Sequence, residues 1–186
     1  MAFDARDAGR VRALADAALF GPWNIPDWLR AEAILQRALG LAMTGEGAGE
    51  VEREVARAEA LLARADPASE CGPGGPWERT LRLRAAACLT EAGRPRRAAD
   101  LFDEVISAGG LSRRDEGFFQ ARRSTALALA GEPDEAASMA LHAVMVGRAT
   151  SSSRTLKVVS ETAAVLDRWR DRSGPRALRD ALAATG

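Results

Sequence analysis

The 186-residue sequence holds few of the side chains that build metal centres, disulfide scaffolds or catalytic sites. It has two Cys, one His and no Tyr. Two cysteines cannot form a disulfide framework, and with a single His they leave too few ligands for a zinc cluster. A lone His without a nearby nucleophile is a poor general base. We therefore expect no catalytic residue, no metal and no cofactor, so the chain is predicted not to be an enzyme.

An excess of charge of one sign is also missing. Basic and acidic residues number 26 each, which gives a net charge of zero. Proteins that hold nucleic acid through bulk charge carry an excess of Lys and Arg, so we expect no direct nucleic-acid contact. There is no uncharged apolar run of about 18 residues and no apolar stretch near the start that resembles a signal peptide. These features predict a cytoplasmic protein without a membrane contact.

What the sequence has in quantity is alanine arranged with helical periodicity. It contains 40 Ala, the residue with the highest helix propensity. Apolar residues recur three and four positions apart along most of the chain, and strand patterns are almost absent. We predict an all-α fold of about nine helices, near residues 5–20, 27–44, 48–66, 77–92, 95–108, 113–130, 133–147, 153–171 and 175–184.

The first helix and the glycine-rich segment 67–76 bear on domain organisation. Apolar residues share one face of the first helix, at the spacing of a core-facing stripe; they are Val11, Leu14, Ala15, Ala18 and Leu19. The segment 67–76 breaks the helical pattern most strongly and is either a linker or a long loop. Because the helices on both sides look alike, we favour a loop within a single domain that spans 1–186.

An internal repeat is the most informative pattern. Residues 92–99 and 130–137 share the sequence A-G-x-P-x-x-A-A, 38 residues apart. We expect Gly93 and Gly131 to adopt the left-handed conformation that ends a helix. Pro95 and Pro133 are then expected to begin the next helix, where the missing N–H is not needed. Each copy therefore predicts a helix–turn–helix pair.

With these positions the chain resembles the tetratricopeptide repeat family. That family has a small residue in the first helix, Gly at the turn, Ala early in the second helix, and an aromatic and a small residue beyond. The matching residues are Ala86, Gly93, Ala98, Phe102 and Val105 in one copy, and Ser124, Gly131, Ala136, Ala140 and Ala143 in the next. The resemblance implies a right-handed superhelix of antiparallel hairpins, clearest at 77–110 and 113–147, with capping helices in 152–184.

A narrower resemblance concerns the end of the chain. The segment from Ser151 to Arg154, Trp169 and the final stripe of Leu178 and Leu182 are similar to the C-terminal part of tetratricopeptide-containing actinobacterial transcription regulators. Those proteins usually carry a helix-turn-helix domain, and the first 70 residues here offer none. The resemblance implies a regulatory, transcription-related setting.

The resemblance also implies where a partner would bind. In this family the concave face is lined by the first helix of each pair, which here includes Thr80, Leu83, Ala87, Thr90, Phe118, Ala121, Thr125 and Ala128. Since one helix cannot point both Phe118 and Phe119 at the same core, we expect Phe118 to face the groove and Phe119 the core. The function so implied is a protein- or peptide-interaction module. A small-molecule sensor with its ligand in the groove is the alternative, and a homodimer is left open.

The remaining candidate residues have ordinary structural interpretations. Cys88 lies on an apolar stripe and is expected in the core, while Cys71 is expected in an exposed loop. His142 is expected at or near the surface of its helix. Trp28 and Trp77 stand at helix starts, where we expect them to pack between neighbouring hairpins.

Overall fold

The computed structural model of the protein describes residues 7–45, 47–65, 72 and 74–184. In these residues it is all-α, with nine α-helices and no strand, as the periodicity predicts. The helices are α1 (Ala8–Phe20), α2 (Asp27–Met43), α3 (Ala48–Leu62), α4 (Pro76–Glu91), α5 (Pro95–Ser107), α6 (Arg113–Leu129), α7 (Pro133–Ala149), α8 (Ser153–Leu166) and α9 (Ser173–Ala183).

The predicted boundaries agree with the observed ones to within about four residues, apart from one helix. The eighth helix was expected to reach residue 171, but α8 ends at Leu166 and a single 3-10 turn, Asp167–Trp169, follows it. Of the predicted first helix, residues 5 and 6 lie outside the described part of the chain.

The chain divides into two compact units of similar length. Unit 1 is residues 1–94 and holds α1 to α4, and unit 2 is residues 95–186 and holds α5 to α9. The division falls at the turn of the first repeat copy. A single domain over 1–186 stays a prediction.

Unit 1 is organised around α2, which packs against α1, α3 and α4. Ile34 and Leu35 are fully or almost fully buried in its core. Arg37 of α2 ties the unit together, because its guanidinium lies 3.0 Å from Asp16 of α1 and 3.0 Å from Glu54 of α3. These helices are therefore held by apolar packing and by one shared cation.

Unit 2 is organised around α6, which packs against α5, α7 and α8, while α9 packs on α7. Phe102 of α5 is fully buried, and its ring centroid lies 6.4 Å from that of Phe119 of α6. Arg123 of α6 forms ion pairs with Asp103 of α5 (2.7 Å) and Glu135 of α7 (3.4 Å). One arginine again links three helices.

The two turns of the repeat have the same backbone structure. Gly93 and Gly131 both adopt the left-handed conformation, with φ of 73° and 85°, which confirms the prediction for these positions. In each turn the N–H after the glycine donates to the carbonyl five residues earlier, from Arg94 to Leu89 (2.9 Å) and from Glu132 to Leu127 (3.0 Å). This is the hydrogen-bond pattern of a Schellman motif.

The side chains at the repeat positions of the two copies are also alike in burial. Ala86, Ala98, Phe102 and Val105 in the first copy are buried. Their counterparts in the second copy, Ser124, Ala136, Ala140 and Ala143, are buried as well. The sequence repeat is thus a repeat of buried positions.

A third turn of the same kind joins α7 to α8 without a glycine. Ser151 has φ of 49°, and among the described residues it is the one non-glycine with a positive φ. The N–H of Ser152 donates to Gly147 O (2.7 Å), and that of Ser151 donates to Arg148 O (3.1 Å). Ser151 therefore occupies a position that a side chain disfavours.

Replacing Ser151 with Gly is expected to raise the free energy of unfolding by about 0.5–1 kcal/mol, because Gly adopts this conformation without steric cost. Ser160→Gly, in the exposed middle of α8, is the matched control and is expected to lower it by a similar amount. Urea unfolding followed by circular dichroism measures both. A loss of stability in Ser151→Gly would contradict the prediction.

Candidate binding pocket

A half-open apolar pocket lies in unit 1, between α1, α2 and the segment 21–26 that connects them. Its volume is about 390 Å³. Eight of the ten described residues that line it are apolar and two are polar. The lining residues are Val11, Leu14, Ala15 and Ala18 of α1, Trp23 and Ile25 of the connection, and Leu29, Glu32, Ala33 and Gln36 of α2.

The pocket exists because the apolar stripe of α1 is wider than the surface that α2 covers. Val11 and Ala15 are buried, but Leu14, on the same stripe, is 58% exposed. Ala18 and Leu19 are half-buried. The stripe was expected to face a core, and only part of it does.

Trp23 forms the wall of the pocket on the side of the connecting segment. Its indole is 61% exposed, and its Nε1–H donates to the carbonyl oxygen of Ala17 (3.1 Å). Gly21 makes room for the ring, since a Cβ at this position would lie 2.7 Å from Trp23 Cδ1 and 2.6 Å from Ala17 O. The connection therefore holds a large aromatic side chain in place at the surface.

The polar edge of the pocket is formed by Glu32 and Gln36. Gln36 Nε2 donates to Glu32 Oε1 (3.0 Å), and Arg84 of α4 pairs with the same carboxylate oxygen. Glu32 Oε2 is buried and has no hydrogen-bond partner. Burial lowers the pKa of the Arg84 guanidinium, and Cys88 acts in the opposite direction.

Exposed large apolar side chains are concentrated near this pocket. In the described part of unit 1 they are Leu14, Phe20, Trp23, Leu29 and Trp77, and three of the five line the pocket. A contiguous exposed apolar area of this kind is typical of an interaction site.

The four residues of α4 that were predicted to bind a partner lie in unit 1. Leu83 is buried and has no side-chain surface for a partner. Thr80, Ala87 and Thr90 are half-buried. Both threonine hydroxyls donate within α4, from Thr80 to Pro76 O and from Thr90 to Ala86 O, each over 2.9 Å.

The four predicted residues of α6 lie in unit 2, on a face that α8 covers. Ala121 and Ala128 are fully buried. Thr125 is half-buried, and its hydroxyl is 2.7 Å from that of Thr162 of α8. The structure therefore differs from the expected open groove here, because another helix of the same unit packs on these residues.

Phe118 differs from expectation in the same way. It is only 8% exposed, and the guanidinium of Arg154 of α8 lies 3.5 Å above its ring. Phe119 contacts Phe118 edge-on, with centroids 5.1 Å apart, and also lies against Phe102. Both adjacent rings are thus engaged, each with a different neighbour of α6. Phe119, which was expected in the core, is only half-buried, so it is the less buried of the two rings.

The structure also places the other cysteine, tryptophan and histidine residues that the sequence points to, apart from Cys71. Cys88 is buried, as its stripe predicts, and its thiol donates to Leu35 O (3.3 Å). Trp28 and Trp77 pack together at the starts of α2 and α4, with ring centroids 4.9 Å apart. His142 is exposed on α7. Cys71 lies outside the described residues.

The residues that the structure describes contain no cluster of three or more His, Cys, Asp or Glu side chains arranged to hold a metal ion. None of their helices has the length and apolar character that crossing a bilayer requires.

Sequence reasoning did not identify the pocket, although a signal for it was present. Gly21-Pro22-Trp23 places a large aromatic residue directly after a helix-ending glycine, in a segment that has to join two adjacent helices. An aromatic residue in such a connection packs back on the helices or remains exposed beside them. Trp23 does both, because its indole N–H donates to Ala17 O of α1 while its side chain is 61% exposed.

Scans of protein-family models, curated proteins and solved structures found no match to this chain. The resemblance to tetratricopeptide repeats therefore stays a prediction that rests on the residues named above.

Proposed function

We propose that this protein is a non-enzymatic interaction module whose pocket in unit 1 takes an apolar side chain from a protein or peptide partner. The observation that carries the proposal is the half-open pocket with Leu14 and Trp23 exposed at its rim. The regulatory, transcription-related setting implied by the resemblance is part of the proposal and rests on that resemblance alone.

The position of α1 supports an interaction surface. Among the described residues of unit 1, α1 packs mainly on α2, so no other described helix of the unit packs extensively on its remaining face. Leu14 of α1 and Trp23 of the connection both line the pocket and are both exposed. Burying these side chains against a partner would remove apolar area from water.

The shape of the pocket supports a side-chain anchor. Interfaces draw most of their binding energy from a few large side chains that fill desolvated pockets, and Trp is among the most frequent of these residues. Trp23 is held by its hydrogen bond to Ala17 O, so little conformational freedom is lost when a partner packs on it.

The proposal is tested with a phage-display library of random linear peptides selected on the wild-type protein. We expect enriched peptides that lose at least about tenfold in affinity when Leu14→Glu places a charge on the pocket wall. Leu14 is 58% exposed, so the variant is expected to fold. Met145→Glu is the matched control, because Met145 is 62% exposed on α7 of unit 2. The proposal fails if no enriched peptide depends on Leu14, or if Met145→Glu loses affinity equally.

A second candidate function is a small-molecule sensor, with the ligand in this pocket instead of the predicted groove. The observation in its favour is the volume of about 390 Å³, since ligand pockets hold about 300–1,000 Å³ and are mostly apolar with a few polar groups. Native mass spectrometry of the purified protein separates the two candidates. A bound small molecule that the selected peptides displace favours the sensor, and an unliganded protein that binds those peptides favours the interaction module.

A further inference from the structure

We infer that two copies of this chain associate through the outward face of α1, which is formed by Arg10, Ala13, Ala17 and Phe20. All four residues are exposed, and none of them is among the residues that line the pocket. The inference therefore goes beyond the proposed function. It concerns a second contact surface, and the partner on that surface is another copy of the same chain.

The first observation is that α1 is apolar around most of its circumference. Its charged residues are Arg10, Arg12 and Asp16, and the last two pair with each other over 3.9 Å. Phe20 is 72% exposed, the largest value among the exposed large apolar side chains of the described residues. A helix that is apolar on all sides is normally buried, so we expect another element to cover the outward face.

The spacing of the four residues makes the outward face complementary to itself. They lie symmetrically about position 15, because 10 and 20 are equally far from it, and so are 13 and 17. When two copies of α1 pack antiparallel with position 15 at the same level, Ala13 of one copy is level with Ala17 of the other. Arg10 is then level with Phe20 of the other copy. A two-fold interface has this reciprocity, since each residue pair occurs twice.

The residue types suit the contacts that this register creates. Alanine at both central positions allows a close approach, because the distance between packed helices depends on the side chains at the contact. At each end we expect the guanidinium of Arg10 to lie on the ring of Phe20 of the other copy, where the aromatic face attracts a cation. The chain contains one such pair within itself, since the guanidinium of Arg154 lies 3.5 Å above the ring of Phe118.

Charge favours the antiparallel orientation and does not oppose a second copy. In a parallel pair, Arg10 would lie beside Arg10 of the other copy and the two cations would repel each other. The antiparallel pair keeps them about 15 Å apart, the length of ten helical residues, and aligns the two helix dipoles in opposite directions. The whole chain has a net charge of zero, so no overall repulsion keeps two copies apart.

The size of the contact predicts a weak, reversible dimer. α1 has 13 residues and is therefore about 20 Å long. One pair of such helices buries less than about 1,200 Å² in total, which is typical of transient complexes. We expect a Kd of about 10–100 µM. At about 1 µM the chain is then mostly monomeric, and substitutions on the outward face do not change its unfolding at this concentration.

The experiment tests the pairing of Arg10 with residue 20 of the other copy. Analytical ultracentrifugation of the full chain between about 1 and 500 µM gives the Kd of the dimer. Phe20→Lys brings two cations together at each end and is expected to raise this Kd at least about tenfold. Phe20→Glu also removes the ring but offers Arg10 a carboxylate, so its Kd is expected to stay within about threefold of the wild-type value.

Arg10→Glu combined with Phe20→Lys tests the register. It restores opposite charges between the two copies, so its Kd is expected to be at least about tenfold lower than that of Phe20→Lys alone. Residues 10 and 20 lie about 15 Å apart along one helix, so a pair within a single chain cannot cause this recovery. Met145→Lys is the matched control, because Met145 is 62% exposed on α7, and it is expected to dimerise like the wild type.

Three results would overturn the inference. The first is a wild-type chain that stays monomeric up to about 500 µM. The second is an equal loss in Phe20→Glu and Phe20→Lys, which would indicate an unspecific apolar contact. The third is a double variant that recovers no affinity. None of them affects the pocket proposal, which depends on Leu14, and circular dichroism of each variant verifies that it is folded.

Discussion

Replacing Phe102 with Ala is expected to lower the free energy of unfolding by about 3–5 kcal/mol, the range for removing a buried aromatic side chain from a core. Phe102 is fully buried on α5 and packs against the ring of Phe119 on α6. The neighbouring repeat positions Ala98 and Ala99 are small and already buried. They offer no long side chain that could move into the cavity, so most of the lost packing is expected to stay lost.

The matched control for this prediction is Phe20→Ala. Phe20 is 72% exposed at the end of α1, so the same substitution is expected to change stability by no more than about 0.5 kcal/mol. Urea unfolding followed by circular dichroism gives both values. A loss below about 1 kcal/mol in Phe102→Ala would mean that the ring contributes little to the core, and the burial described here would then be wrong.

The repeat and its turns could be predicted from the sequence because their causes are local. Gly93 and Gly131 are predicted in the left-handed conformation from the residues immediately around them, and both adopt it. Pro95 and Pro133 each begin a helix, as predicted. A helix end depends on a few consecutive backbone groups, so short sequence patterns contain the necessary information. A break between residues 147 and 153 is predicted and observed, but the left-handed conformation of Ser151 is not predicted, because no glycine marks it.

The neighbours of each helix face could not be predicted in the same way. Periodicity identifies the apolar face of a helix but not the element that covers it. Leu14 lies on an apolar stripe and is exposed, whereas Phe118 was expected to face a groove and is buried. The difference arises because α6 has helices on several sides while α1 packs mainly on one.

The pocket depends on contacts between residues that lie far apart in the sequence. Its wall is Trp23, whose position is set by Gly21 and by the hydrogen bond to Ala17 O. Its polar edge depends on Glu32, which pairs with Arg84 at a separation of 52 residues along the chain. Pairings over such distances have no local sequence signature, so the site becomes visible only when the helices are placed in three dimensions.

Gly117 permits a close contact between two helices that its sequence context does not reveal. It lies inside α6, where glycine is unfavourable for helix stability, and it is buried. A Cβ at this position would lie 2.9 Å from Cβ of Val146 on α7. Because Cβ of Val146 is attached directly to the backbone, a change of its side-chain rotamer cannot remove this contact. The glycine therefore permits the close approach of α6 and α7.

Gly117→Ala is expected to lower the free energy of unfolding by about 1–3 kcal/mol, since the extra methyl group has to push α6 and α7 apart. Gly49→Ala in α3 is the matched control. Gly49 is exposed, and a Cβ there would have no neighbour within 4 Å. This variant is expected to gain up to about 1 kcal/mol from helix propensity. Opposite signs in urea unfolding are the expected result, and a gain in both would show that α6 and α7 are not in close contact at Gly117.

Combining Gly117→Ala with Val146→Ala tests the cause of that loss. Val146→Ala removes both methyl groups that a Cβ on residue 117 would approach, but it keeps the Cβ atom itself. The double variant is therefore expected to lose less stability than the sum of the two single variants, with a coupling of about 0.5–1 kcal/mol. Strict additivity would mean that the two residues do not touch. The loss in Gly117→Ala would then have another origin than the contact between α6 and α7.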